Sequence, residues 1–374
     1  MSVVGSAAAA FGGASWLNAF SAAAQAGDGP YGPLRPPDGS GLLLPDGFTS
    51  RVIARTGRGV GDTWYLWHMA PDGGACFPTP TGGWVYVSNS EIPLVGGASA
   101  VRFRADGTIE DAYRILGGTN VNCAGGATPW GTWLSCEEVD RGRVYETDPL
   151  GDADPVVRPA MGVFKHEACA VDPDRRVVYL TEDVSDGGLY RFTPAAWPDL
   201  SAGTLEIMVG APDQTSGPVT WARVPDPSAG GRPTRHQVAG SKPFDGGEGC
   251  YYADGTCWFT TKGDNRVWAY DAAAGTLGLT YDDDTPLSGV DNVTGAANGD
   301  LFVAEDGDNM EICVITPDGV VAPFVRVDGH SGSEITGPAF SPDGTRLYFS
   351  SQRGSSGSPL GGGVTYEVTG PFRS

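Results

Sequence analysis

Six segments of this chain repeat one pattern: a short apolar strand, a turn containing Asp, Gly or Pro, and a return strand ending in polar residues. They are ACFPTPTGGWVYVSNSE (75–91), CAGGATPWGTWLSCEE (123–138), EACAVDPDRRVVYLTED (167–183), EGCYYADGTCWFTTKGD (248–264), DNVTGAANGDLFVAEDG (291–307) and GPAFSPDGTRLYFSSQR (337–353). Their starts are separated by 48, 44, 81, 43 and 46 residues. A period near 45 residues, broken by one insertion, is the period of a propeller blade. GLYRFTP (188–194), RVWAYD (266–271) and ICVITPDG (312–319) supply outer strands. The insertion, about 195–243, is rich in Pro, Asp, Ser and Gly and reads as long loops over one face. No long segment carries a capped 3.6-residue period. The expected fold is all-β: a single six-bladed β-propeller with a long loop insertion, spanning residues 35–374. A β-sandwich of many short strands is the competing architecture.

Composition agrees with short strands and tight turns. The 374 residues include 57 Gly and 29 Pro, and 40% are hydrophobic, so a sizeable core is available without staples. The net charge of −21 repels nucleic acid and anionic lipid. It also opposes an anionic substrate unless bound cations invert the local field. Seven cysteines, at 76, 123, 136, 169, 250, 257 and 313, form no C-x-x-C, which removes a zinc-ribbon or thioredoxin-like reading. CYYADGTC (250–257) reads as a hairpin in which Cys250 and Cys257 either form a disulfide or stay as buried thiols. Residues 1–34 are rich in Ala, Gly and Ser, and the first Arg is Arg35. With AQA at 24–26, they resemble the later part of an export signal without its basic head, or a disordered tail. No segment offers ~18 continuous apolar residues, so no membrane-spanning helix is expected.

The repeat gathers acidic groups. In a hairpin, the first residue of strand one and the last residue of strand two lie at the same end. The inner strands of all blades run in the same sense around the central channel, so these positions converge at one mouth. The starts are Ala75, Cys123, Glu167, Glu248, Asp291 and Gly337. The ends include Glu91, Glu137 or Glu138, Glu182 or Asp183, Glu305 and Asp306. Such a crowd of carboxyls cannot stay ionised and unpaired. Bound cations resolve the conflict: carboxylate oxygens suit calcium, and a thiolate beside carboxylates suits iron. Trp130-Gly-Thr-Trp133 forms the turn and return strand between Cys123 and Glu138. His166, beside Glu167, should face away into the blade by strand alternation.

The segments NCAGGATPWGTWLSCEE, KHEACAVDP with VVYLTED, FDGGEGCYY and DNVTGAANGDLFVAEDGDN resemble the PhoX-type alkaline phosphatase family over roughly residues 60–355. The resemblance implies a six-bladed propeller exported by the twin-arginine route. It further implies iron and calcium at the channel mouth and cleavage of phosphate monoesters. Cys123, Glu167, Glu248 and Asp291 then correspond to core metal ligands, and Glu138 to a calcium-binding glutamate. Asn89 and Glu91, in SNSE, match the family's Asn-His-Glu segment with Ser90 in place of His. Glu305, at a hairpin end, joins the expected metal set. The family has an Arg two residues before the position of Glu248; here that residue is Gly246, so a bidentate phosphate contact is missing. Lys242, Lys262, Arg266 and Arg353 are alternative sources of charge, and Lys262 and Arg353 are the expected catalytic cations.

The function expected is a metal-dependent hydrolase acting, as a monomer, on a small-molecule phosphate ester in the periplasm or outside the cell. Two alternatives are a calcium-dependent lactonase or esterase, which Gly246 favours, and a noncatalytic propeller that uses metals for rigidity. There is no G-x-x-x-x-G-K-[ST] and no G-x-S-x-G, so neither a phosphate-cradling helix nor a nucleophile-elbow serine is expected.

Overall fold

The structure, a computed structural model, describes residues 23–307 and 309–373. Residues 1–22 of the export-signal-like segment lie outside the described residues. Six sheets, antiparallel apart from one short pairing at the edge of the fifth, surround a central channel, with innermost strands Pro71–Pro78, Asn122–Ala127, His166–Asp172, Gly247–Ala253, Val290–Gly295 and Ile335–Phe340. Blades 1 to 6 are numbered by these strands. The chain is a six-bladed β-propeller. Its ring is closed by Thr49–Arg55, which pairs with Val364–Thr369 as the outer strand of blade 6. One blade thus contains both early and late parts of the chain, which removes the open edge.

The blades are equivalent in detail. Every inner strand has a register shift near its start, as between Asn122 and Gly125 or between Gly247 and Cys250. Such bulges turn side chains at the strand start toward the channel. Beside each bulge one backbone bond recurs in all six blades. The N–H groups of Glu91, Glu138, Asp183, Lys262, Asp306 and Gln352 donate to the carbonyls of Ala70, Val121, Lys165, Gly246, Gly289 and Glu334, at 2.7–3.2 Å. Small residues let the inner strands approach one another. A Cβ on Gly73 would lie 2.4 Å from Ala124 Cα, and one on Gly249 would lie 2.5 Å from Val293 N.

Apolar clusters fill the spaces between neighbouring blades. Leu347, Phe349 and Tyr366 of blade 6 pack with Phe302, Ile312 and Phe324 of blade 5, and Tyr86 of blade 1 stacks on Tyr348 of blade 6 at 4.9 Å. Cys250 and Cys257 are free thiols with Sγ atoms 3.6 Å apart. The region read as an insertion begins as ordinary propeller. Leu189–Ala196 and Asp199–Val209 are the outer hairpin of blade 3, and Thr220–Arg223 extends it. Gly217–Pro218 crosses to the sheet of blade 4. The stretches 210–216 and 224–246 run mainly as loop, the second with one short 3-10 turn at Thr234–His236. Near the other end, Gln25–Ala26 pairs in parallel with Val320 and Val321 of blade 5, and Ala24 is buried. These residues, grouped with the tail by composition, pack against the propeller.

Asn89 ties blade 1 to blade 2. Its buried amide donates to the carbonyls of Cys123 and Ala124, and its oxygen accepts from Trp133 Nε1 and Ser135 Oγ. Replacement by Ala leaves these buried groups without partners. Asn89→Ala should therefore cost about 2–4 kcal/mol in urea unfolding; a loss under about 0.5 kcal/mol would show that these bonds do not hold the two blades.

Candidate metal centre

The bulged strand starts and the recurring backbone bond place three tiers of side chains at one mouth of the channel. The first tier is the second residue of each inner strand: Asp72, Cys123, Glu167, Glu248, Asp291 and Thr336. The second is the residue after each return strand: Glu91, Glu138, Asp183, Lys262, Asp306 and Gln352. The third lies two positions before the first: Ala70, Val121, Lys165, Gly246, Gly289 and Glu334. The first-tier members of blades 1 and 6 are thus Asp72 and Thr336. Ala75 and Gly337, expected there from the turn-based alignment, stand three positions and one position further along, beyond or inside the bulge.

Ligand atoms from these tiers form three adjoining groups, each within 4.8 Å internally: Asp72, Glu91 and Cys123; Cys123, Glu138 and Glu167; and Glu167, Glu248 and Asp291. An ion held at about 2.0–2.6 Å from each ligand fits that spacing. Cys123 and Glu167 belong to two groups each, so the chain of ligands is continuous. Glu167 is fully buried, and neither of its carboxylate oxygens has a hydrogen-bond partner among the described residues. A buried carboxylate in that state is costly unless a proton or a cation satisfies it. The residues present therefore fit a cation cluster.

Electrostatics point the same way. Burial, followed by the charge of Glu248, pushes the Glu167 carboxyl well above the usual range. Burial and the charge of Asp291 do the same to Glu248, and burial with Glu91 to Asp72. Glu138 rises to about 8, chiefly by burial. Asp291 reaches about 7, where burial outweighs the opposing Lys262. Burial and the neighbouring carboxylates also raise the Cys123 thiol. The protein's own relief comes from Gln352, which donates to Asp72 at 2.6 Å and Glu91 at 2.5 Å, and from three cations. Lys165 Nζ is 2.9 Å from Glu138 and 2.6 Å from Asp183. Lys262 Nζ is 3.0 Å from Glu248 and 3.5 Å from Asp306. Arg353 is 2.9 Å from Glu334.

Lys262 and Arg353 are thus brought to the mouth. Lys242 instead lies against Phe244 and Trp268, and Arg266 pairs with Asp264 and Asp282. Asn89 stands behind Cys123, with its polar atoms used by the inter-blade bonds described above. Glu305 is not brought to the mouth. It equals Glu137 and Glu182 in the repeat, the last residue of a return strand, and alternation turns it away. Its oxygens accept from the N–H groups of Ser288 and Glu311, and it lies beside Glu311 and Cys313. His166 also faces into its blade, stacked on Phe164.

Sequence reading missed Asp72, Lys165, Glu334 and Gln352. Asp72 carries a usable signal: an acidic or thiol residue followed by Gly or Ala, as in Cys123-Ala124, Glu167-Ala168 and Glu248-Gly249. Lys165 and Gly246 occupy the same tier in adjacent blades. Gly246 has φ +68°, and a Cβ there would meet Asp183 Oδ1 at 3.3 Å, so a long side chain is disfavoured at that position.

A family model described as alkaline phosphatase PhoX matches residues 86–148, 139–277 and 268–354. The chain belongs to the PhoX family. No curated protein sequence matches it. Among solved structures it is similar to a protein of unknown function from Bacteroides thetaiotaomicron, with 11% identity and a TM-score of 0.52, covering 86% of this chain and 76% of that one. It is also similar to a gluconolactonase from Xanthomonas campestris, with 15% identity and a TM-score of 0.49, covering 92% of this chain and 99% of that one. These likenesses concern the fold alone.

Raised carboxyl pKa values give stability a definite pH dependence. Glu138 at about 8 and Asp291 at about 7 hold protons in the folded chain where unfolded carboxyls, near 4, have lost them. The folded state then binds more protons between about pH 4 and 8, so metal-free protein should lose stability as pH rises through that window. Chelator-treated protein should melt at a lower temperature at pH 8.5 than at pH 5.5, and calcium should close the gap. A melting temperature that climbs with pH would contradict this.

Proposed function

We propose that the protein is a metal-dependent hydrolase of phosphate monoesters, with iron and calcium held at the channel mouth. One observation carries the reading: Glu167, fully buried with neither oxygen hydrogen-bonded, lies in ligand reach of Cys123 on one side and of Glu248 and Asp291 on the other. The thiolate-containing groups, Asp72–Glu91–Cys123 and Cys123–Glu138–Glu167, suit iron; the all-carboxylate group Glu167–Glu248–Asp291 suits calcium. When bound, these ions supply Lewis-acid stabilisation of phosphoryl oxygens and activation of an attacking oxygen. They also make the mouth attractive to a phosphate dianion despite the overall charge of −21.

The protein's own cations bind and orient the phosphoryl group. Burial lowers the affinity of Lys262 for its proton, but Asp291, Glu248 and Asp306 outweigh this and hold it well above the usual lysine range. It is therefore a fixed positive charge. Lys165 is held high in the same way by Asp183 and Glu138 against burial. With Glu138 and Glu248 engaged by metal, Lys165 and Lys262 would each keep one carboxylate, Asp183 and Asp306, which holds the ammonium group at the mouth. Arg353 adds a planar donor from blade 6. Lys165 sits on the same tier as Gly246, one blade away, and so offers a cation at the level where the family's Arg is missing. Catalysis of this type rests on positioning and charge stabilisation. Export accompanies the reading, because the family is a secreted one.

A calcium-dependent lactonase or esterase is the second reading, favoured by Gly246 in place of the arginine. Protein purified with its metals should hydrolyse p-nitrophenyl phosphate and lose that activity on chelation. Lys262→Met should lower kcat/KM by about 10²–10³-fold with metal content retained, and Glu167→Ala should lose both metal and turnover. Turnover of a lactone with p-nitrophenyl phosphate left intact would replace the first reading with the second. Phosphatase activity that survives complete metal removal would end both.

A further inference from the structure

Beside the mouth, on the side of blades 2 and 3, the loop from 226 to 235 encloses a recess of about 410 Å³. Four cationic side chains line it, Arg141, Lys165, Arg232 and Arg235, against two carboxylates, Asp140 and Glu182. Lys165 and Arg235 are paired with carboxylates, which leaves Arg141 and Arg232 against Asp140 as the charges of the recess without an ion pair among the described residues, on a protein whose overall charge is −21. Arg235 is already committed, to Glu182 at 2.9 Å and Asp186 at 2.8 Å. Arg141 donates only to the carbonyls of Ser228 and Ala229, at 3.2 and 3.3 Å. Neither Arg141 nor Arg232 has a carboxylate within ion-pair distance among the described residues. Lys165 belongs to both places: it lines the recess and touches Glu138 and Asp183 of the mouth.

The loop is pinned in position. Val163 N–H donates to Pro227 O at 2.8 Å, Tyr190 Oη lies 2.8 Å from Thr234 Oγ1, and Gln237 bridges the N–H and carbonyl of Asp226 at 2.8 Å each. A preformed cationic recess adjoining a site for one anion recognises a molecule with two anions.

We propose that this recess is a specificity subsite for a second phosphate group, carried on the leaving group, and that the preferred substrates are small bisphosphates. Arg141 and Arg232 bind the second phosphate while Lys165 stands between it and the scissile one. The inference rests on the phosphate-ester reading for its catalytic meaning, but the recess can be tested by binding alone.

The test compares glucose 1,6-bisphosphate with glucose 6-phosphate, using metal-replete protein and initial rates of phosphate release. In the double variant Arg141→Ala, Arg232→Ala, the ratio of kcat/KM for the bisphosphate over that for the monophosphate should fall about tenfold or more, mainly through KM. Gly231→Asp should lower the ratio in the same direction, since a Cβ at Gly231 meets nothing within 4 Å; Gly231→Ser, without the charge, should preserve it. A ratio unchanged in the double variant would overturn the proposal. If neither sugar ester nor p-nitrophenyl phosphate is hydrolysed, the phosphatase reading fails by itself, and calorimetric titration with the two sugar phosphates decides the recess. Weaker binding of the bisphosphate alone in the double variant supports the subsite, and equal binding in wild type and variant refutes it.

Discussion

The concentration of buried acid at one end of the channel is the constraint on which the rest of the molecule depends. Asp72, Glu167, Glu248 and Asp291 lie within the first tier, and Glu91, Glu138, Asp183, Asp306 and Glu334 stand just above them. Charges placed that close, away from water, repel one another and lose hydration together. Three cations and Gln352 relieve part of this. The remainder is carried by protons or by metal ions. A flexible chain would simply move such groups apart. Here six bulged strands and six copies of one backbone bond fix each carboxyl to a closed ring, and the ring is locked by the outer strand at Thr49–Arg55. The rigidity of the propeller is what makes the acidic mouth possible.

That rigidity also sets the backbone conformation of the tier that carries Gly246. The backbone at Gly246 adopts a left-handed conformation, shared by the same-tier residues Ala70, Val121 and Gly289. Lys165 and Glu334 are the two members of that tier outside it, and both project a charge to the mouth. Lys165 thus brings an ammonium to the mouth from the tier that Gly246 occupies one blade away. The same lysine lines the recess built by the loop after blade 3, so the mouth and the recess share one side chain.

The architecture was legible because strand, turn and return strand recur at nearly constant spacing, and that period alone specifies a ring of blades. Cys123, Glu138, Glu167, Glu248 and Asp291 were legible for the same reason: each stands at a fixed place in its repeat. Glu305 and Asn89 show the limit. A shift of one residue along a strand reverses the face, and Glu305 lies on the wrong side of that alternation from Asp306. Asn89 lies two residues before Glu91 on the same face, yet its amide is used to bind the next blade. Asp72 was hidden by a three-residue difference between the turn-based alignment and the bulged register. Lys165 and Glu334 precede their strands and had no repeat signal of their own.

The order of residues along the chain determined the number of blades, which hairpins carry acids, and the strongly anionic character of the whole. Tertiary structure decided which of those acids meet, because only ring closure and the position of each bulge set the few ångströms that separate a ligand from a bystander. It also decided the partners of Lys165, Lys262 and Arg353, since attraction between charges depends on distance in space and the residues concerned come from different blades.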